Sequence, residues 1–264
     1  MVAYLARIDL FPIKSLDGLS VQQAQVLASG ALQHDRAFAL MDKRGQYVNG
    51  KRYRKIHQVR SRFSDDITQV TVWVDQSVPA ANFHLNEARA ELERWFSDYF
   101  QQPVTLQHNS AMGFPDDTDS PGPTLVSTAT LQTVGDWFGL TLAETRRRFR
   151  SNLEIDGVPA FWEDCLVSAS GQPVNFSIGS VTFQGINPCK RCVVPTRDTQ
   201  TGEATRNFQP HFVKQRAVTL PTELARSRFK PLYRLAVNTR VSPSTETTNL
   251  TVGDTLSLCE RGGS

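Results

Sequence analysis

A chain of 264 residues is long enough for one large domain or two small ones around a substantial buried core. Hydrophobic residues make up 39% and charged residues 21%, the balance of an ordinary globular protein and not of a disordered one. The net charge of +3 is too small to argue for a nucleic-acid partner, and no run of about 18 apolar residues occurs, so no membrane span is expected.

The N-terminal segment carries Arg7 and Asp9 where a secretory signal would need an unbroken apolar core, and it reads as the first strand of a cytoplasmic protein. Segments 2–11, 19–28, 36–42, 55–63 and 68–74 are short, rich in β-branched and aromatic residues, and separated by turn signals such as Ser29-Gly30. They predict an antiparallel sheet or small barrel. After Asn86, a candidate N-cap, Ala88, Leu92, Trp95, Phe96 and Tyr99 recur at helical spacing, which predicts one amphipathic helix across that sheet with its aromatics in the core.

Residues 113–123 hold three prolines, two glycines and three aspartates, a composition that continues neither strand nor helix. This stretch marks a boundary between residues 1–112 and 124–264, or a long functional loop. Beyond it, Leu131, Val134 and Phe138 predict a helix from near Ser127, and Thr141 to Glu144 has capping-box spacing and opens another. Strands are expected near 150–155, 174–186, 232–238 and 250–258, which makes the whole mainly β with some helices, an α+β protein.

Chemistry concentrates at Asn187-Pro188-Cys189-Lys190-Arg191-Cys192. Two of four cysteines sit three residues apart around two cationic side chains, surroundings in which a thiolate ligates metal or acts as a nucleophile. A zinc ribbon needs a second close pair, and Cys165 and Cys259 are solitary. A thioredoxin-like disulfide opens a helix, whereas Val193-Val194-Pro195 follows here. The plainer alternative is two small buried hydrophobes. A soft metal on one thiolate remains, and molybdenum and copper both suit sulfur.

The segment Cys189-Lys-Arg-Cys192-Val-Val-Pro-Thr-Arg-Asp198-Thr-Gln-Thr201-Gly202-Glu203 resembles the signature of the MOSC family, the molybdenum cofactor sulfurase C-terminal domain proteins. Phe11-Pro12-Ile13-Lys14-Ser15 through Gly18 resembles the family's Y-P-V-K-S-x-x-G. Gly30 through Asp35-Arg36-Ala37-Phe38 resembles its G-L-x-x-D-R-x-W, with Phe38 for tryptophan. Tyr47 through Lys51-Arg52 resembles the following T-x-R-x-x-P loop without its proline, and Phe149-Arg150-Ser151-Asn152 stands where the family has F-R-P-N. Trp162-Glu163-Asp164 is similar to an acidic cluster of the family.

The resemblance implies a small N-terminal β-domain over a MOSC β-barrel domain, with a molybdopterin-type molybdenum cofactor in the cleft between them. In the reductase members, the mitochondrial amidoxime-reducing components and their bacterial relatives, the second cysteine of C-x-R-C ligates molybdenum; the matching residue is Cys192. Lys190 and Arg191 would receive anionic cofactor, and Lys14, Ser15, Arg36, Arg52, Arg150 and Asn152 would supply cations, a hydroxyl and amide donors to its phosphate and pterin. Ser127 and Thr128, at a predicted helix start, are further candidates for anion binding, with simple capping as the alternative. The implied reaction is reduction of N-hydroxylated or N-oxide substrates. Because the cysteines lack the spacing of a plant-type iron–sulfur domain, a separate ferredoxin- or flavin-type electron donor is expected. A carrier that holds cofactor or sulfur on Cys192 is the other function the same thiolate allows.

Other features have simpler readings. The run Arg146-Arg147-Arg148 is expected as a solvated helix face, and the five histidines never occur at ligand spacing. Asp116, Asp117 and Asp119 read as solvent-facing turn residues, with a divalent-cation site as the alternative. Asp198 and Glu203 are candidates for proton delivery, with turn chemistry before Gly202 as the alternative.

Overall fold

The computed structural model describes residues 2–220, 226–241 and 248–259. Its largest unit is an eight-stranded sheet in the order β15-β11-β12-β13-β9-β10-β1-β2, built from β1 (Tyr4–Leu10), β2 (Leu19–Val21), β9 (Leu125–Ser127), β10 (Leu153–Asp156), β11 (Val174–Ile178), β12 (Val181–Lys190), β13 (Arg234–Val241) and β15 (Leu256–Leu258). The remaining strands form three smaller ladders. They are β3 (Gln23–Val26) with β14 (Thr248–Thr251), β4 (Phe38–Asp42) with β8 (Val104–His108), and β5 (Val59–Phe63), β6 (Gln69–Val74) and β7 (Val78–His84) side by side. Among the described residues the fold is α+β and mainly β, as the sequence predicts.

Two of the strands expected in an N-terminal sheet are instead built into the large one. β1 pairs with β10 on one side and β2 on the other. Its buried residues Leu5, Ile8 and Leu10 break strict alternation, and a register shift between Leu5 and Arg7 absorbs the mismatch, so that all three face the core. The chain therefore leaves the sheet at Leu10 and enters Phe11–Ser15 directly beside the C-terminal half.

The parallel pair β9 and β10 requires a crossover, supplied by α2 (Thr128–Phe138) and α3 (Leu142–Phe149). Thr141 caps α3 by accepting the Glu144 N–H at 3.1 Å, whereas the Glu144 carboxylate turns away from the cap to Arg148 and Thr199. With α4 (Phe208–Thr219), these helices enclose a second apolar cluster of Leu131, Val134, Phe149, Phe208, Phe212 and Tyr233. Phe138 stacks on Phe208 with ring centroids 3.9 Å apart.

α1 (Arg89–Phe100) packs Leu92 and Phe96 into the larger core, while Trp95 and Tyr99 lie half-buried at its edge. Asn86 does not cap it; Ala88 occupies that position without a side-chain bond. The predicted strand 174–186 is a hairpin, because Gly179 at φ 56° reverses the chain between β11 and β12. The predicted strand 250–258 is likewise broken, by a turn at Gly253 between β14 and β15. The front of 55–63 is a 3₁₀ turn over Arg54–Gln58.

Candidate cofactor site

A cavity of about 480 Å³ opens where the segment after β1, the turn around Gly50, the 112–122 segment, the end of α3 and the end of β12 converge. Of the residues singled out by sequence, Lys14, Ser15, Arg36, Arg150, Asn152, Lys190, Arg191 and Cys192 line it, together with Cys189. They come from both halves of the chain.

Each is held by identifiable neighbours. Lys14 is 6% exposed; its Nζ donates to Asp116 Oδ1 at 2.7 Å and to Phe114 O at 2.9 Å, and lies 5.1 Å from the Tyr47 ring centre. Burial pushes its pKa down, opposed by the Asp116 charge. The Arg36 guanidinium pairs with Asp35 and donates to Asn152 Oδ1 at 3.3 Å. Asn152 is 2% exposed and fixed by its own donation to Asp9 O at 3.1 Å. The Arg150 guanidinium stacks on Phe11 at 4.1 Å but has no hydrogen bond or ion pair among the described residues; its backbone N–H donates to Arg146 O at 2.8 Å. Burial, reinforced by the nearby Arg36 charge, pulls its pKa down to about 10.

Strain gathers here too. Ser15, Arg36 and Arg150 all have positive φ, at 75°, 49° and 54°, an arrangement that non-glycine residues keep only where surrounding contacts enforce it.

The cysteines are separated by fold as well as by sequence. Cys189 is the penultimate residue of β12, packs against the helical cluster and lies 3.3 Å from Arg191 Nη1. Arg191 also donates to Phe149 O, which ties the turn to α3. Cys192 lies beyond the strand, half-buried on the cavity wall, where its Sγ accepts the Val194 N–H at 3.4 Å. Behind it Glu144 accepts from Thr199 Oγ1 at 2.6 Å and from Arg148 Nε at 2.9 Å, and Arg148 reaches Thr205 Oγ1 at 2.9 Å. Arg148, expected on a solvated face, is therefore buried and fastens the segment that follows Cys192.

Five sequence candidates do not line the cavity. Arg52 turns to Asp42, 3.1 Å away. Ser127 is fully buried and caps α2 by accepting the Thr130 N–H at 3.1 Å, and Thr128 Oγ1 donates to Ile155 O at 3.3 Å, so both hydroxyls serve the local fold. Asp198 accepts the backbone N–H groups of Gln200 and Thr201 and shapes its own turn; Glu203 pairs with exposed Arg54 at 2.9 Å. Their local bonds satisfy them before they could reach the cleft.

Conversely, Lys51, beside the expected Arg52, lines the cavity. So does Asp116, which is solvent-exposed as expected yet sets its carboxylate on Lys14 Nζ at 2.7 Å. The position of Lys51 in the Tyr47–Arg52 motif was an available signal; nothing local marked Asp116. Among the described residues no cluster of histidine, cysteine and carboxylate ligands for a metal occurs, and no helix is long and apolar enough to cross a membrane.

This is a two-part, mainly β protein with two cysteines and a set of cations facing a shared cleft. Residues 2–103 match the MOSC N-terminal beta barrel domain and residues 124–257 the MOSC domain, so the chain belongs to the MOSC family. It is 24% identical to a molybdenum cofactor sulfurase of Solanum lycopersicum over 78% of this chain, but spans only 30% of that protein. It is 23% identical to mitochondrial amidoxime reducing component 2 of Macaca fascicularis, over 88% of this chain and 78% of the relative. Among solved structures, YiiM from Geobacillus stearothermophilus matches 53% of this chain and 55% of its own at 15% identity and a TM-score of 0.32.

Proposed function

We propose that this protein binds a molybdopterin-type molybdenum cofactor in the cleft, with Cys192 as the protein ligand to the metal. We further propose that it reduces N-hydroxylated or N-oxide compounds with electrons from a separate ferredoxin- or flavin-type donor. The observation that carries the reading is the pairing, in one cavity, of a half-buried cysteine with the unpartnered guanidinium of Arg150.

The donor set fits such a group. A half-buried guanidinium with no hydrogen-bonded anion is open to one, and phosphate is well matched to its fork of donors. Lys14, Ser15, Arg36 and Arg150 would hold the phosphate and pterin, Asn152 fixes Arg36, and a thiolate suits a soft metal. When bound, the cofactor supplies two-electron oxygen-atom chemistry. The chain's own part is to orient it, through the Arg191 tie to α3 and the Glu144–Arg148 fastening behind Cys192, and to limit water in the cleft.

The test is to purify the protein from a cofactor-competent host, quantify molybdenum by mass spectrometry, and supply a reduced dye with N-hydroxylated bases and amidines. Stoichiometric metal with turnover is expected. Metal without turnover across such substrates would sink the reductase and favour a cofactor or sulfur carrier. That second reading has its own support in the match to a molybdenum cofactor sulfurase over most of this chain.

A further inference from the structure

The 113–122 segment flanks the cavity and is fastened at both ends. At its start the Phe114 N–H donates to Arg36 O at 2.9 Å; Gly113 has φ 67°, and a Cβ there would lie 2.5 Å from Asp35 O, so only glycine lets the chain pass so closely. At its end the Gly122 N–H donates to Thr239 O at 3.1 Å, Arg240 donates to Asp119 O at 2.7 Å, and Asn238 donates to Asp117 Oδ2 at 3.1 Å. Between these fasteners Asp116 sets its carboxylate on Lys14 Nζ, 2.7 Å away.

The two partners differ in exposure. The Lys14 side chain is 7% exposed and that of Asp116 68%, so an exposed carboxylate meets a buried ammonium. Neither anchor involves Asp116, and Lys14 Nζ keeps a second bond to the segment, to Phe114 O at 2.9 Å. A carboxylate and a phosphate present the same kind of acceptor to an ammonium and cannot occupy one donor direction together.

We propose that Asp116 is an internal stand-in for an anionic ligand: its carboxylate occupies Lys14 until an incoming oxyanion displaces it, and 113–122 is the strap that carries it. The inference rests on the reading that the cleft receives an anionic group, but not on the metal. The occupied state must break the Lys14–Asp116 pair, so ligand affinity is lowered by whatever that pair contributes.

The probe is inorganic pyrophosphate, titrated calorimetrically into metal-free protein. Asp116→Asn is expected to bind it at least about fivefold more tightly than the natural chain, because an amide competes less well for an ammonium. Asp117→Asn, which leaves the Lys14 pair intact, is expected to stay within about twofold of the natural chain. Lys14→Gln combined with Asp116→Asn is expected to lose the gain. An Asp116→Asn protein with an unchanged unfolding midpoint and no tightening overturns the strap, as does equal tightening in Asp117→Asn, which would make the effect one of net charge. A natural chain without molybdenum but with the Asp116→Asn gain would remove the cofactor reading alone; molybdenum without the gain would remove the strap alone.

Discussion

Arg36 Nη1 donates to Asn152 Oδ1 at 3.3 Å, a bond between residues 116 positions apart that joins the two halves of the chain at the floor of the cleft. Asn152 also receives the Thr124 N–H at 3.3 Å and donates to Asp9 O at 3.1 Å, so one buried amide ties together β1, the entry to β9 and the site. Asn152→Ala leaves Asp9 O and the Thr124 N–H without their partner. The expected cost is about 1–3 kcal/mol, read as a lower urea midpoint at unchanged slope.

Cys192 and Cys189 should separate cleanly. Cys192→Ser is expected to abolish molybdenum retention, while Cys189→Ser, whose sulfur packs against the helical cluster and Arg191, retains it with a small loss of stability. Elemental analysis of both purified proteins checks this; the opposite pattern would show that the other thiol is the ligand.

Arg150 trades stability for binding. Its pKa lies near 10 because burial and Arg36 disfavour the cation, so in the folded state the charge is a penalty, fully present below pH 10 and fading as pH rises towards the unfolded value. Arg150→Met is expected to raise the unfolding midpoint of the metal-free protein at pH 7, by on the order of 1 kcal/mol after loss of the Phe11 stacking. The same variant should bind pyrophosphate more weakly. A destabilised Arg150→Met would contradict the unpaired state of this guanidinium.

Glu163 predicts a pH dependence outside the cleft. It is 1% exposed, accepts from Thr130 Oγ1 at 3.0 Å, and burial with the adjacent Asp164 charge pushes its pKa up to about 7. The folded state then keeps a proton that the unfolded chain releases from about pH 4.5, so this group lowers stability as pH rises from 4.5 through 7. Glu163→Gln removes that loss. Denaturation at pH 5 and pH 8 should show the variant gaining on the natural chain by on the order of 3 kcal/mol between the two; a constant difference would mean that Glu163 titrates normally.

Much of the fold is local enough to read in advance. Alternation marks β6, and the spacing of Leu131, Val134 and Phe138 marks α2. The strands β7 and β8 escape because their residues alternate poorly or sit at an edge, with Pro79, Asn82 and His84 diluting the pattern in β7. The helix α4 hides behind Pro210, although proline in a first turn is tolerated and Phe208, Phe212 and Arg216 recur at fourfold spacing. Arg216 looks polar in sequence, yet it is 2% exposed, bonded to Asp164 and stacked 4.3 Å from the Phe161 ring.

Sequence by itself determined the class of the fold, the turn that sets two cations between two cysteines, and part of the set of residues that line the cleft. Those are properties of short segments, whose periodicity and turn chemistry act within a few residues. Tertiary structure alone decided which cations are free. Arg52 is spent on Asp42, Ser127 on the start of α2, Thr128 on Ile155 O, and Asp198 on its own turn, while the Arg150 guanidinium is unpaired among the described residues and Lys14 is answered by Asp116. The reason is physical: a charge is committed by its nearest partner in space, and the acidic partner of Lys14 lies 102 residues away along the chain.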